Sequence, residues 1–350
     1  MIFAQLAGAL TAINKIALDC DRILNNSVTL KPAVDTCVAK ILIIGGGAIG
    51  LGLAYHLTLR GETDIVLLER NQLTSGTSWH AAGIVGPLRA TPNMTRLAMY
   101  AGELFPKLEA ETGLTTGYRK TGGYWLARDP ARMDELHRIA ALGKHFGLSP
   151  SIVKASEVDV PGLSTDGIVG ALQVAEDANV NPVDLCMAYA KAARARGADI
   201  REHSPVAHLL VEGLQVKGVQ LNDGTEIFAD RVALCAGAWS KKLADGAGVA
   251  LPLQAVEHMY VVTEVVRDAM AGLPDPFPVL RDLDRGVYIK GDAGKLVIGG
   301  FEPNAKCWDA YGPDGDRPFL EMAEDWEQFM PFMDAALALL PALENVCAVV

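Results

Sequence analysis

No pair of cysteines in this chain has the spacing of a metal knuckle or a redox motif. The six stand at 20, 37, 186, 235, 307 and 347, which excludes a C-x-x-C site and matches the usage of a reducing compartment. The seven histidines form no H-x-x-x-H pair, and His203 and His208 alone do not make a metal site, so no metal is expected. Basic residues are also short, 31 Lys and Arg against 42 Asp and Glu, for a net charge of −11. That balance argues against nucleic acid, whose phosphates need a basic face, but leaves room for a small anion held by one or two local cations. A membrane-length apolar run is missing as well. Met1 to Ile13 is apolar but too short to span a bilayer, and no basic residue precedes it as a secretory signal requires. An Arg-rich, acid-poor presequence does not fit either, because Lys15, Arg22 and Lys31 stand beside Asp19 and Asp21.

With half of its 350 residues hydrophobic, the chain can bury a large core, and its length suits two domains. Residues 1–36 read as a poorly ordered extension, or as a start codon placed too far upstream. Residues 37–116, 165–250 and 326–350 are assigned to a nucleotide-binding domain, and 117–164 and 251–325 to a substrate domain. At the far end Asp325 to Leu340 reads as a helix stopped by Pro341. Val346 to Val350 then begins a β-type run with no closing turn, as if the chain were cut.

The strongest local signal begins at Ala39. Ala39 to Ile44 is a short apolar run, as expected of a parallel strand buried on both faces. Gly45-Gly46-Gly47-Ala48-Ile49-Gly50 follows, then a helical stretch from Leu51 to Arg60 with Gly61 as its C′ residue, then a second strand, Asp64 to Glu69. Gly45 permits the tight turn, Gly47 lets backbone approach a pyrophosphate, and Gly50 allows close helix–strand packing. The helix N-terminus offers unpaired N–H groups to phosphates. Glu69 can accept hydrogen bonds from ribose hydroxyls, and an acid there disfavours NADP. A lone G-x-G-x-x-G is weak, but strand, glycines, helix, strand and acid in register point to a dinucleotide. An NAD dehydrogenase would continue in regular βα repeats. Here Asn71 to Gly86 is instead rich in Gly, Ser and Thr and contains His80, which suits FAD. Composition alone leaves His80 open between a flavin attachment site and a partly buried histidine with a satisfied hydrogen bond.

Further along, Pro205 to Val211 and Val216 to Leu221 alternate as strands, and Asn222-Asp223-Gly224 marks a hairpin turn. This reads as a small meander over the adenosine end. Asp230 to Gly237 reads as a buried strand ending in small residues, with Cys235 as core packing. Residues 252–303 have a different texture. Val256 to Thr263, Val287 to Ile289 and Lys295 to Gly300 suit an antiparallel sheet over the flavin. The expected fold is therefore α/β, a Rossmann-like FAD domain of the glutathione-reductase type with an antiparallel-sheet substrate domain.

Several segments together carry a resemblance. Leu67 to Gly83 is one, with Arg70, Thr77, Trp79 and His80 inside it. Thr121 to Ala127, Asn181-Pro182, Cys235 to Trp239, Glu257 to Glu264, Leu280 to Asp284, Tyr288 and Gly299 to Asn304 are the others. Across about residues 39 to 346 the chain resembles the sarcosine dehydrogenase and dimethylglycine dehydrogenase group of the D-amino-acid-oxidase-like flavoproteins. The resemblance implies that His80 carries FAD covalently through the flavin 8α-methyl group, which typically raises the redox potential and favours C–N oxidation. It also implies cofactor contacts at Ala48, Ile49, Arg70, Thr77, Ser78, Trp79, Ile84 and Val206, beside Gly45, Gly47, Gly50, Glu69 and Gly237. His258 and Tyr288 match positions lining the substrate pocket, where a histidine and a phenol can orient an amine and influence its proton loss. Lys290 stands on the same strand face where many relatives have arginine, so a point charge replaces a bidentate fork.

The implied reaction is FAD-dependent N-demethylation of sarcosine or dimethylglycine, with a small amino-acid substrate and an electron-transfer flavoprotein as acceptor. The implied compartment is the cytoplasm in a bacterium or the mitochondrial matrix in a eukaryote. A tetrahydrofolate-binding half often follows in relatives, after a final flavin-contacting βα element expected beyond Val350. Folate is expected only where such a half exists. Two other readings stand beside this one: an oxidase or dehydrogenase of another secondary or tertiary amino acid, and a non-catalytic subunit resembling the pyruvate dehydrogenase phosphatase regulatory protein. The regulatory branch lacks the histidine matching His80.

Overall fold

Two sheets of different construction organise the chain in a computed structural model. The structure describes residues 37–266, 273–308, 317–346 and 348–349, so the expected extension at 1–36 lies outside the described residues. The six-stranded sheet runs in the spatial order Val206–Glu212, Gln215–Leu221, Glu226–Leu234, Cys37–Ile44, Ile65–Leu68, Asp199–Arg201. Its four strands from Glu226–Leu234 onward are mutually parallel, and the first two form the antiparallel meander. Ile41 to Ile44 are all buried, as a central strand covered on both faces requires. Their pleat divides them. Ile41 and Ile43 face the helices Ala48–Leu59 and Pro182–Ala195, while Leu42 and Ile44 pack with Val219 and Ile227. The strand expected at Asp230 to Gly237 starts earlier, at Glu226, and is only half-buried, with Asp230 and Arg231 exposed.

The second sheet has eight strands, in the order Ala348–Val349, Tyr260–Thr263, Lys295–Gly300, Val287–Asp292, Val279–Asp282, Gly123–Ala127, Gly170–Val174, Ser151–Lys154. All junctions are antiparallel except that between Val279–Asp282 and Gly123–Ala127. Its pleat separates two kinds of residue. Leu280, Ile289, Ile298 and Val261 sit in register and pack under the helix Trp326–Leu339, against Phe329, Phe332 and Ala336. Their neighbours Arg281, Tyr288, Gly299 and Tyr260 form the next row, on the opposite face, with Trp125 beyond Arg281. The sequence places residues 170–174 and 326–339 in the nucleotide-binding half; in the structure Gly170–Val174 is a strand of the eight-stranded sheet and Trp326–Leu339 packs on it, because the apolar side of that sheet extends further than local strand texture reveals.

A three-stranded ribbon of Ile84–Val85, Ala178–Asn179 and Arg119–Lys120 completes the described strands. It meets the eight-stranded sheet at a buried ion pair between Asp177 and Arg281 Nη1, whose side chains are 0% and 14% exposed. Arg281 also lies over the Trp125 ring, at 5.2 Å. Removing one partner from such a pair strands the other charge. Asp177→Ala is therefore expected to lower the unfolding free energy by about 3–5 kcal/mol in a urea titration. A loss below about 1 kcal/mol, the range of an exposed pair, would contradict the assignment.

Candidate active site

The turn after Ile44 is shaped by three glycines. Gly45 has φ of 113°, and a Cβ there would run into the carbonyl of Cys235. A Cβ on Gly50 would overlap the Gly45 carbonyl oxygen, and one on Gly47 would come 2.9 Å from Ser78 Oγ. The helix Ala48–Leu59 begins directly from this turn, with Gly47 as an N-cap that has no side chain to offer. Ser78 Oγ accepts the Ala48 N–H at 2.9 Å. The N–H groups of Ile49 and Gly50 have no acceptor among the described residues. Ile49 leaves 65% of its surface exposed at this end.

Other predicted cofactor residues gather around the turn. Glu69 accepts the Gly46 N–H at 2.7 Å with Oε2 and the Asn71 N–H at 3.0 Å with Oε1. The chain leading into Val206 passes alongside, where the Ser204 N–H donates to the Glu69 carbonyl at 2.8 Å. Arg70 lies over the Trp239 ring at 4.2 Å. Gly237, with φ of 54° and open space where a Cβ would stand, follows Cys235 and Ala236, whose backbone packs on Gly45. Cys235 packs against the core, and burial pushes its thiol up to about 11, consistent with a packing role.

The stretch from Arg70 to Ile84 crosses the front of this turn. The Thr74 N–H donates to the Gly46 carbonyl, Thr77 is exposed, and Ser78 holds the helix start. Trp79 buries an indole N–H that has no partner among the described residues. The His80 ring lies against Trp79, tilted by 39° with centroids 3.8 Å apart, and its Nε2–H donates to the Leu320 carbonyl at 2.8 Å. The peptide then turns at Gly83, pressed against the Val180 carbonyl, and Ile84 pairs with Asn179. A glycine cradle, free helix N–H groups, an orphaned indole N–H and a carboxylate at the strand end together fit a dinucleotide such as FAD.

The eight-stranded sheet supplies the second half of the site. Tyr288 is 6% exposed, and its ring lies across Gly299, where any Cβ would overlap it. Burial raises the Tyr288 phenol above its usual range, so it stays a neutral donor through alkaline pH. Two residues on, Lys290 is 5% exposed, and its ammonium has no hydrogen-bond or ion-pair partner among the described residues. Burial depresses Lys290, and the charge of Asp292 partly opposes that shift. His258 does not lie within a strand, as the β-rich texture suggested, but two residues ahead of Tyr260–Thr263. There the Glu257 N–H donates to the Lys306 carbonyl, and Glu302 takes both the Met259 N–H and the His258 ring. Phe301 bridges the two predicted residues, with its centroid 6.3 Å from His258 and 5.9 Å from Tyr288.

Two connections bring the halves together. A Cβ on Gly86, six residues past His80, would stand 3.1 Å from Arg281 Nη2, and Arg281 is the cross-strand partner of Tyr288. The segment after residue 316 runs from Phe319, against Trp79, through Leu320 at His80, to Met322 and Ala323 in the cleft beside His258. Strand alternation already marks Lys290 in the sequence; Arg281 and Glu302 are not singled out there, although both stand within the quoted motifs.

Residues 40–349 match the family model described as FAD dependent oxidoreductase. The chain belongs to that family. It is 37% identical over 310 residues to 4-methylaminobutanoate oxidase (formaldehyde-forming) of Paenarthrobacter nicotinovorans, covering 87% of this chain and 37% of that protein. It is 35% identical over 315 residues to human mitochondrial sarcosine dehydrogenase, covering 88% of this chain and 33% of that one. Identity is likewise 35%, over 312 residues, with the mouse pyruvate dehydrogenase phosphatase regulatory subunit, at 88% and 35% coverage. This chain thus spans about a third of the length of these relatives. Among solved structures, L-proline dehydrogenase from P. horikoshii superposes with a TM-score of 0.78 at 22% identity, over 90% of this chain and 80% of that one. That likeness concerns the fold. No described helix is long and apolar enough to cross a membrane.

The glycine turn gives a direct check on cofactor retention. Gly50→Ala must push the helix start away from the Gly45 carbonyl, and in a His80→Ala background, where flavin binds reversibly, is expected to weaken FAD binding at least about tenfold, or 1.4 kcal/mol, by fluorescence titration. Gly52→Ala in the same helix meets only an ordinary 4.0 Å contact and should bind as the parent does. Equal affinities for the two variants would remove the turn from the site.

Proposed function

We propose that this chain is the flavin-binding, substrate-oxidising part of an enzyme that demethylates a small N-methylated amino acid, sarcosine or dimethylglycine. In this reading FAD is carried covalently by His80, and electrons pass to an electron-transfer flavoprotein. The observation that carries it is Lys290, buried on the strand and face of Tyr288 with no hydrogen-bond or ion-pair partner among the described residues; Tyr288 is linked to His258 through Phe301 and to the glycine cradle through Arg281 and Gly86. A buried cation without a partner is expensive, and a substrate carboxylate would supply one. On the neighbouring strand Arg281 is already neutralised by Asp177, whereas Lys290 is a cation with no ion-pair partner among the described residues.

When bound, FAD supplies the two-electron acceptor for a hydride from the N-methyl carbon. The chain's own groups place that carbon. Lys290 fixes the carboxylate, the Tyr288 phenol donates a hydrogen bond toward it, and His258 takes the proton from the amine so that its lone pair can assist C–H cleavage. The same site could serve another secondary or tertiary amino acid, and the similarity to 4-methylaminobutanoate oxidase keeps that reading in the test. Anaerobic mixing of the FAD-loaded chain with sarcosine, dimethylglycine or 4-methylaminobutanoate should bleach the flavin band fastest with one of the first two. Bleaching by the longer substrate alone would replace the methylglycine assignment, and no bleaching by any amine would favour the regulatory role.

Lys290 makes a further check. Its ordinary value is depressed by burial, so it loses its proton at lower pH than an exposed lysine does. Binding of a non-oxidisable carboxylate such as trimethylglycine should hold at neutral pH and weaken as pH rises toward the usual lysine range. Lys290→Met should weaken it about 10- to 100-fold at neutral pH, the scale of a charged hydrogen bond. Unchanged affinity would exclude Lys290 as the anchor.

A further inference from the structure

We infer that Glu302 is the positioning residue that makes His258 a proton acceptor, by holding the proton of that imidazole on Nδ1 and leaving Nε2 as the lone pair offered to the substrate. This rests on the proposed oxidation for its purpose, but its geometry stands alone. Glu302 follows the strand Lys295–Gly300 and comes 44 residues after His258, yet its side chain is 6% exposed and Oε2 lies 2.8 Å from His258 Nδ1. The second oxygen, Oε1, takes the backbone N–H of Met259 at 3.3 Å. An ionised carboxylate accepts and does not donate. With a backbone donor on one oxygen, the ring nitrogen on the other must carry its own hydrogen.

The ring is held in other ways too. Phe301 lies nearly parallel to the imidazole, at 22°. The His258 side chain is 40% exposed, toward the cleft lined by Met259, Met322 and Gln328. Nε2 has no partner among the described residues. The charged and titratable groups around the ring are Glu257 on its own segment, Glu302 from the strand end, Tyr288 through Phe301, and Asp325 from the start of the last helix. Asp325 is itself paired with Lys306. This setting is acidic.

The step follows from the tautomer. The protonated substrate amine gives its N–H proton to Nε2, the N–H bond breaks, and its electron pair stays on the substrate nitrogen. The imidazole becomes an imidazolium. Its new charge faces the Glu302 carboxylate, which keeps its own charge and takes no proton, the logic of an acid behind a catalytic histidine. A merely structural Glu302 would latch residues 257–259 to the strand end and leave the choice of nitrogen to solvent.

Glu302→Gln separates the two, because the amide keeps the size and one acceptor but can also donate. Nitrogen-15 NMR of His258, assigned by its loss in His258→Asn, should show Nδ1–H and bare Nε2 in the neutral ring of the parent, and a mixture of tautomers in Glu302→Gln. In stopped flow with sarcosine, the limiting rate of flavin reduction should fall about 100-fold, the usual share of a general base. Substrate affinity and melting temperature should stay close to the parent's, and Glu302→Asp should recover part of the rate. A parent ring protonated on Nε2, or an unchanged limiting rate in Glu302→Gln, overturns the inference. If the parent reduces no flavin with any methylated glycine, the substrate reading fails, and the NMR comparison still decides whether Glu302 sets the tautomer.

Discussion

The pleat of the eight-stranded sheet is the constraint on which the site depends. Successive residues of a strand face opposite ways, so Leu280, Ile289 and Ile298 cannot pack under the last helix without turning Arg281, Tyr288 and Gly299 to the other side. A slip of one residue would bury the charges and expose the leucine and isoleucines. Phe329 and Phe332, nearly fully buried on the apolar side, each contribute about 1.5–3 kcal/mol to keeping that register. The polar row is thereby held by packing on the face it does not occupy. The Tyr288 ring finds its place because Gly299 opposite has no side chain.

That row reaches the nucleotide turn through one polar junction. Asp177 holds Arg281 from the three-stranded ribbon, and the loop from His80 to Gly86 settles against both. Just ahead of it, the same segment gives Ser78 to the helix start and lays Trp79 against His80. A single stretch of small and hydroxyl residues therefore touches both the glycine turn and the Asp177–Arg281 pair at the polar row of the sheet. This explains why it could not be a regular βα repeat.

Legibility in the sequence followed the distance between partners. The strand, glycines, helix and Glu69 lie within about thirty consecutive residues, and their chemistry is local, so the nucleotide unit emerged with the helix start shifted only from Leu51 to Ala48. The meander of 206–221 and the last helix were readable for the same reason. Pairings over long separations were not. Glu302 reaches His258 across 44 positions, Asp177 reaches Arg281 across 104, and the Leu320 carbonyl reaches His80 across 240. No periodicity marks such contacts. His258 was mistaken for a strand residue because Val256 to Thr263 has strand composition, whereas side-chain and carbonyl partners take up its backbone before the ladder begins.

The role given to His80 is the claim from which the flavin chemistry follows. It is tested most directly by unfolding the FAD-loaded chain and asking whether flavin stays with it. Flavin fluorescence is expected to comigrate with the denatured protein, a proteolytic peptide containing His80 to carry the mass of the flavin, and His80→Ala to release all of it. Free flavin from the denatured parent, with the same FAD content in His80→Ala, would contradict it.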